Sequence, residues 1–166
     1  MEFMDVVRKR RSIRKYRPDP VPEPEIECIL EAARLAPSWK NGQCWRYIVV
    51  TDPELRKRIT MREWAASAPV VIVACADPAK AEEREGRSYY MMDMGIGMEH
   101  LVLAAAERGL GTCWIGLHFE EKTVKEALGV PENIRVVAIT PLGYPAETPP
   151  DRGRKPMTEM ASRNHW

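Results

Sequence analysis

Residues 70–76 read VVIVACA, seven apolar residues in succession from Val70 to Ala76. A strand with one wet face alternates apolar and polar residues, so a run this continuous predicts a strand covered on both sides, in a sheet with helices above and below it. A charged segment, residues 77–87, follows, and a long helical run begins near Tyr89. Met91, Met94, Met98, Leu101, Val102 and Ala105 give that run a core-facing stripe, and its small residues between 95 and 106 imply apolar contact nearly all round. This is the predicted central helix, ending at Gly109.

Toward the N-terminus, Ile48, Val49 and Val50 within residues 47–51 read as another buried strand. Asp52-Pro53-Glu54 reads as a helix start, with a capping acid, proline at the first helical position and an acid in the first turn. Earlier still, Ile26, Ile29, Leu30 and Ala33 recur at i, i+3, i+4, i+7, one apolar helix face that should stop before Pro37. It follows a connection punctuated by Pro18, Pro20, Pro22 and Pro24. Phe3, Met4, Val6 and Val7 fit a short first helix. Toward the C-terminus, residues 111–115 predict a third strand, 120–128 a helix closed by Gly129, and 134–141 a fourth strand. Residues 145–166, with Pro145, Pro149, Pro150 and Pro156, predict an extended tail. The order predicts a three-layer α/β or α+β domain, a sheet of four or five strands with helices on both faces.

The chain has 166 residues, 45% apolar and 30% charged, enough for one domain, 1–166, that buries roughly 70% of its unfolded surface. The apolar stretches around 68–76 and 94–106 fall short of the roughly 18–20 residues of a membrane span. With 25 Lys+Arg against 24 Asp+Glu the net charge is +1, so no global field draws the chain onto nucleic acid or an anionic membrane. The start, MEFMDVVRKRR, reverses the order of a signal peptide. Cys28, Cys44, Cys75 and Cys113 form no C-x-x-C pair and read as reduced core thiols rather than a disulfide framework or a metal site. The expected compartment is the cytoplasm.

Charge is uneven locally. Residues 8–17, RKRRSIRKYR, hold seven Lys/Arg and no acid, and residues 19–31 hold five acids and no base. The basic block admits three readings: a solvated face, a nucleic-acid or targeting patch, and a site for a small phosphate. Arg10, Arg11, Ser12 and Arg14 combine guanidinium forks with a hydroxyl near a helix end, a set able to surround phosphate. A second cluster, Arg152, Arg154 and Lys155, lies in the tail, where it could fold back on the first.

Four segments carry a resemblance: RRSIRKYRPDPVP (residues 10–22), APSWKNGQCW, ERGLGTCWIG and LGYPAETPPDRGRKP. In this order they resemble the signature segments of the FMN-dependent nitroreductase family, from about residue 3 to residue 160. The resemblance implies an α+β, three-layer α/β/α fold whose central sheet is mixed and mainly antiparallel. It implies FMN as bound cofactor, NAD(P)H as reductant, and a homodimer with two FMN sites at its interface. Arg10, Arg11 and Ser12 match the contacts to FMN phosphate and ribityl, Arg14 a basic position near the pyrimidine end, and Arg152 and Arg154 a pair closing on the phosphate from the tail. Pro37, Ser38, Trp39, Asn41 and Gln43 match a loop given to the partner's flavin. Ile115 and Gly116 match a strand end approaching flavin N5.

The implied activity is hydride transfer from NAD(P)H through flavin N5 to small electron-poor acceptors, nitroaromatics or quinones, in a ping-pong cycle. Reduced flavin carries negative charge near N1, which a cation such as Arg14 stabilises, and glycine at 116 admits a close aromatic ring. The cofactor carries the chemistry, and no Ser/His/Asp or Cys/His set is present to nominate. The alternatives are a specialised member (flavin-fragmenting, dehalogenating or dehydrogenating) or, in another class, a basic-armed nucleic-acid-binding protein.

The chain departs from the family pattern where Cys44 stands between Gln43 and Trp45 in place of proline, and it is short. The segment at 77–87 stands where longer members insert helices, so the pocket is open or is lined by Tyr89 and Tyr90. His100 and His118 read as structural or solvent-facing, and Cys113 as a buried hydrophobe. Asp93 reads as an acceptor for a backbone amide or an arginine rather than a proton donor. Trp39, Trp45 and Trp114 either stack on the ring or fill the interface.

Overall fold

The run at 70–76 is a strand buried along its whole length, and the molecule is layered around it. The computed structural model describes residues 2–166; residue 1, where the expected domain begins, lies outside the described residues. In chain order the elements are α1 (Phe3–Lys9), α2 (Glu23–Arg34), β1 (Trp45–Val50), α3 (Pro53–Ile59), α4 (Glu63–Ala66), β2 (Val70–Ala76), β3 (Glu83–Arg84), β4 (Arg87–Ser88), α5 (Tyr89–Glu107), β5 (Gly111–Thr112), α6 (Glu121–Leu128), β6 (Arg135–Gly143) and α7 (Met157–Met160). Single 3-10 turns stand at Trp39–Asn41 and Pro78–Lys80.

The main sheet has the order β1-β2-β6-β5 with every neighbouring pair antiparallel. A parallel bridge from Ser12 to Thr112 adds the N-terminal arm beyond β5, which gives the mixed, mainly antiparallel character expected. Side chains alternate across a strand, and β2 uses both directions. Val70, Ile72, Ala74 and Ala76 pack with Ile26 and Ile29 of α2 and Met94, Met98 and Leu101 of α5. Val71, Val73 and Cys75 pack with Ile59 of α3, Ala65 of α4 and Val124 of α6. These are the two covering layers predicted from the unbroken apolar run.

Local chemistry fixes the ends of the elements. The Asp52 carboxylate accepts the N–H groups of Glu54 and Leu55 at 2.8 and 2.9 Å, and Pro53 opens α3. Gly129 ends α6 at φ 65°, a left-handed position that glycine takes without strain. Gly97 lets α5 approach β1, since a Cβ there would stand 2.6 Å from the Tyr47 hydroxyl.

The strand expected at 111–115 pairs with β6 only at Gly111–Thr112, and the chain rejoins β6 at a separate bridge between Ile115 and Ile139. Between these points Cys113 and Trp114 leave the ladder, which ends the strand early. Residues 145–166 have no helix apart from the single turn of α7, and turn at Gly153 and Asn164, and residues 151–166 are exposed throughout. No helix among the described residues is long and apolar enough to cross a membrane.

Candidate functional site

The arm that follows α1 is held against β5 and the tail by its backbone. Ile13 N–H donates to Thr112 O, Arg17 N–H to Tyr144 O, and Ala146 N–H returns to Lys15 O, each at 2.9 Å. Arg14 N–H donates to the Glu147 carboxylate at 2.5 Å. An extended arm sends alternate side chains to opposite sides. Ile13 is buried against Gly111, where a Cβ would come within 2.7 Å of it. Ser12, Arg10 and Arg14 act on Cys113: burial raises the thiol's pKa, while the two cations and a hydrogen bond with Ser12 oppose that rise.

The arginines of this region divide by partner. The Arg11 guanidinium donates to the carbonyls of Arg8 and Arg10 and to Asp151 at 3.0 Å, so it ties the arm to the tail. Arg17 pairs with Asp19 and lies over the Tyr144 ring. Among the described residues, Arg10, Arg14, Arg152 and Arg154 pair with no acid. Arg14 lies instead over Trp64, 5.8 Å from the ring centroid. In the tail, Asp151 accepts Gly153 N–H at 2.9 Å and Arg154 donates to Gly153 O at 2.6 Å, around Gly153 at φ 68°. The arm, the end of α5 and the tail enclose a cavity of about 220 Å³ lined by Arg10, Arg11, Thr112, Glu147 and Thr148.

The second group lies at the other end of α5. Trp39 stacks on Tyr89 with centroids 4.5 Å apart, and its N–H donates to Asp93 at 2.9 Å. Gln43 N–H donates to Ser38 Oγ at 3.0 Å, and Gln43 Nε2 to Asn41 O at 3.3 Å. Pro37 precedes this loop as an exposed residue. From Asp93 to Ala106, which borders the arm's cavity, α5 rises about 20 Å at 1.5 Å per residue. The arm and the loop at 38–43 are therefore far apart within one chain. The surface of α5 between them carries exposed Met92 and Ile96 beside Phe3 of α1, with Glu99 and His100 in the same groove.

Ile115 is buried and Gly116 exposed. A Cβ on Gly116 would meet only Trp114 Nε1, at 3.6 Å, so the space before it is open. Beside it lies a cavity of about 300 Å³ lined by Tyr90, Met91, Leu117 and Phe119, with Arg135 held by Glu121 at 2.9 and 3.0 Å. Tyr90 lines this cavity, whereas Tyr89 is stacked on Trp39. His100 Nδ1 lies 3.1 Å from Ala32 O, a structural contact, and Asp93 accepts a backbone amide as its burial predicted.

Sequence reasoning missed Trp64, Glu147 and Asp151, which complete the arm's surroundings. It also missed Arg62, whose Nη2 lies 3.1 Å from His118 Nε2 next to the Gly116 segment. The acids act across more than a hundred residues, which no local spacing encodes.

A family model described as "Nitroreductase family" matches residues 7–66 and 60–144. A relative from Archaeoglobus fulgidus, provisionally named NADH dehydrogenase/NAD(P)H nitroreductase, is 37% identical over 88% of this chain and 87% of its own length. The FMN reductase [NAD(P)H] of Bacillus subtilis is 30% identical over 99% of this chain and 73% of its own. A solved nitroreductase family protein of Clostridium difficile superposes over the full length of both chains with a TM-score of 0.91 at 28% identity.

Proposed function

The chain belongs to the nitroreductase family, and from that premise we propose that it is an NAD(P)H-dependent oxidoreductase that works through bound FMN as a homodimer. The observation that carries the reading is the set of arginines without acid partners, Arg10 and Arg14 on the arm and Arg152 and Arg154 on the tail, around a seam closed by backbone hydrogen bonds. Cations on two converging segments with no acid at ion-pair distance favour an anion between them. A monophosphate suits them, and the open front of Gly116 suits a flat ring. The residues fit FMN.

FMN, when bound, supplies the two-electron chemistry that accepts hydride from NAD(P)H and passes it on. Arg10, Ser12, Arg152 and Arg154 hold its phosphate. Arg11 stands behind them and keeps the tail in place through Asp151. Arg14, steadied on Trp64, supplies positive charge at the pyrimidine end. Ile115 and Gly116 present backbone to the reactive edge, and the cavity beside Tyr90 and Phe119 receives small electron-poor acceptors such as nitroaromatics or quinones. Reductant and acceptor occupy it in turn.

The roughly 20 Å along α5 between arm and loop supports a site shared by two copies, in which Pro37, Ser38, Trp39, Asn41 and Gln43 reach the flavin held by the other copy's arm. The apolar strip of Phe3, Met92 and Ile96 would be covered in that pairing. Residues 1–166 form one such unit, and four free cysteines suit a reducing cytoplasm. Family membership favours the flavin reading of the basic arm over the nucleic-acid one.

Flavin titration of apoprotein is the test. Arg10→Ala should weaken FMN binding by about 1.5–3 kcal/mol, the scale of a lost charged hydrogen bond. Arg34→Ala, whose guanidinium is already paired with Glu31 on α2, should leave it unchanged. Equal affinity for wild type and the Arg10 variant would return the arm to a solvated surface.

A further inference from the structure

The central helix buries one carboxylate. Asp93 is 3% exposed, and the other buried residues of α5 are apolar or glycine. Burying a carboxylate is costly unless hydrogen bonds compensate it, and both oxygens of Asp93 turn to the same loop. Oδ1 accepts Trp39 N–H at 2.9 Å, and Oδ2 faces the Cys44 thiol at 3.8 Å. Burial, and after it the Asp93 charge, pushes the Cys44 thiol up to about 11, which keeps its S–H available as a donor. One side chain from another element therefore grips the loop at residue 39 and at residue 44.

What lies between those points needs a grip. Lys40, Asn41 and Gln43 have φ of 46°, 57° and 47°, the left-handed region that side-chain-bearing residues seldom occupy. Gly42 sits so close to the Lys80 carbonyl that a Cβ would stand 2.2 Å from its oxygen. Backbone of this kind persists only where its surroundings over-determine it. Within the loop, Ser38 and Gln43 are tied to each other and Gln43 also to Asn41 O. Among the described residues the Asn41 side chain makes no hydrogen bond, so it is the polar group left to present outward.

We propose that Asp93 is the positioning residue of the flavin site: by holding Trp39 N–H and the Cys44 thiol it sets residues 38–43 in the shape that offers Asn41 to the flavin of the second copy. The proposal rests on the assignment of that loop made above. Asp93 touches neither cofactor nor substrate and acts through the loop.

The test uses the full-length dimer and three variants, Asp93→Ala, Asp93→Asn and Asn41→Ala. Asp93→Ala should speed amide exchange at residues 38–44 about tenfold while β2 exchange stays unchanged. It should raise the FMN Kd about tenfold, shift the flavin absorption band, and raise acceptor KM more than it lowers kcat. Asp93→Asn keeps an acceptor for Trp39 N–H and should restore most of each change. Asn41→Ala should weaken FMN without loosening the loop. If Asn41→Ala weakens FMN and Asp93→Ala leaves exchange, Kd and KM at wild-type values, Asp93 has no positioning role and the loop assignment stands. If Asp93→Ala loosens the loop but neither variant alters the flavin, the loop assignment fails and the proposal falls with it. Should Asp93→Ala not fold, Trp39→Pro against Trp39→Ala isolates the same hydrogen bond, since only proline removes the N–H. Exchange at residues 41–44 about tenfold faster in the proline variant is expected; equal exchange in the two overturns the proposal.

Discussion

Strand β2 and the arm at residues 10–17 are both extended segments, and they are held in opposite ways. β2 pairs on both edges and buries every side chain, four into one covering layer and three into the other. The arm makes a few backbone hydrogen bonds to β5 and the tail, buries Ile13, and carries its charges in water. Apolar burial contributes about 25 cal/mol per Å², whereas a single hydrogen bond contributes about 1 kcal/mol net and exposed ion pairs contribute little. The comparison separates a frame held by apolar burial from a clasp that a bound anion would complete.

The sharpest attack on this division is in the frame. Met98 of α5 is fully buried against β2, and Met98→Ala should cost about 2–5 kcal/mol through lost burial and the cavity left behind. Denaturant unfolding of the apoprotein measures it, and FMN affinity of the folded fraction should be near wild type. A loss below about 1 kcal/mol would show that the layers around β2 do not bear the stability assigned to them.

A smaller effect separates the clasp from the frame. In Gly111→Ala the new Cβ would lie 2.7–3.0 Å from three atoms of Ile13, and Ile13 is also tied by its N–H to Thr112. The arm must lift. Overpacking of this kind costs about 1–3 kcal/mol, and here it should appear as faster exchange in residues 10–17 and an FMN Kd raised about three- to tenfold, with β2 exchange unchanged. If β2 loosens as well, arm and frame are one cooperative unit and the distinction is lost.

The same contrast governs how far the sequence could be read. The ends of β2 are legible because seven apolar residues in a row have few other uses, and α5 is legible because its apolar stripe from Met91 to Ala105 runs for about four turns. β5 was drawn too long since nothing in GTCWI announces that Cys113 and Trp114 leave the ladder. α4 and the hairpin of β3 and β4 have too few residues to show a period; the turn between the two strands, with Glu85 and Gly86 at positive φ, lies in a stretch that reads only as a charged segment. In the site, the arm's arginines were legible as a group, but not that Arg11 would be occupied by Asp151. That partner lies 140 residues away, and such choices are made by the folded chain. Asp93 was legible in kind, as a buried acceptor, without its donors.

The weakest perturbation tests the clasp at its outermost tie. Asp151 accepts Gly153 N–H and then feels Arg11, and in that order these hold its carboxyl below its ordinary range. A carboxyl depressed on folding adds stability that is present above the unfolded value and is lost as pH falls through the folded one. Asp151→Asn keeps an acceptor for Gly153 N–H but drops the charge opposite Arg11. With Asp151 fully exposed the effect should be small: a Tm within about 1–2 °C of wild type and an FMN Kd raised less than about threefold at neutral pH. The sign is the stronger test. The difference in Tm between wild type and Asp151→Asn should be constant above about pH 4 and shrink toward zero as the solution is acidified through the depressed pKa, and added salt should shrink it at any pH. A difference that grew on acidification would mean that the Arg11–Asp151 pair does not hold the tail to the arm, and that the clasp closes on its backbone hydrogen bonds alone.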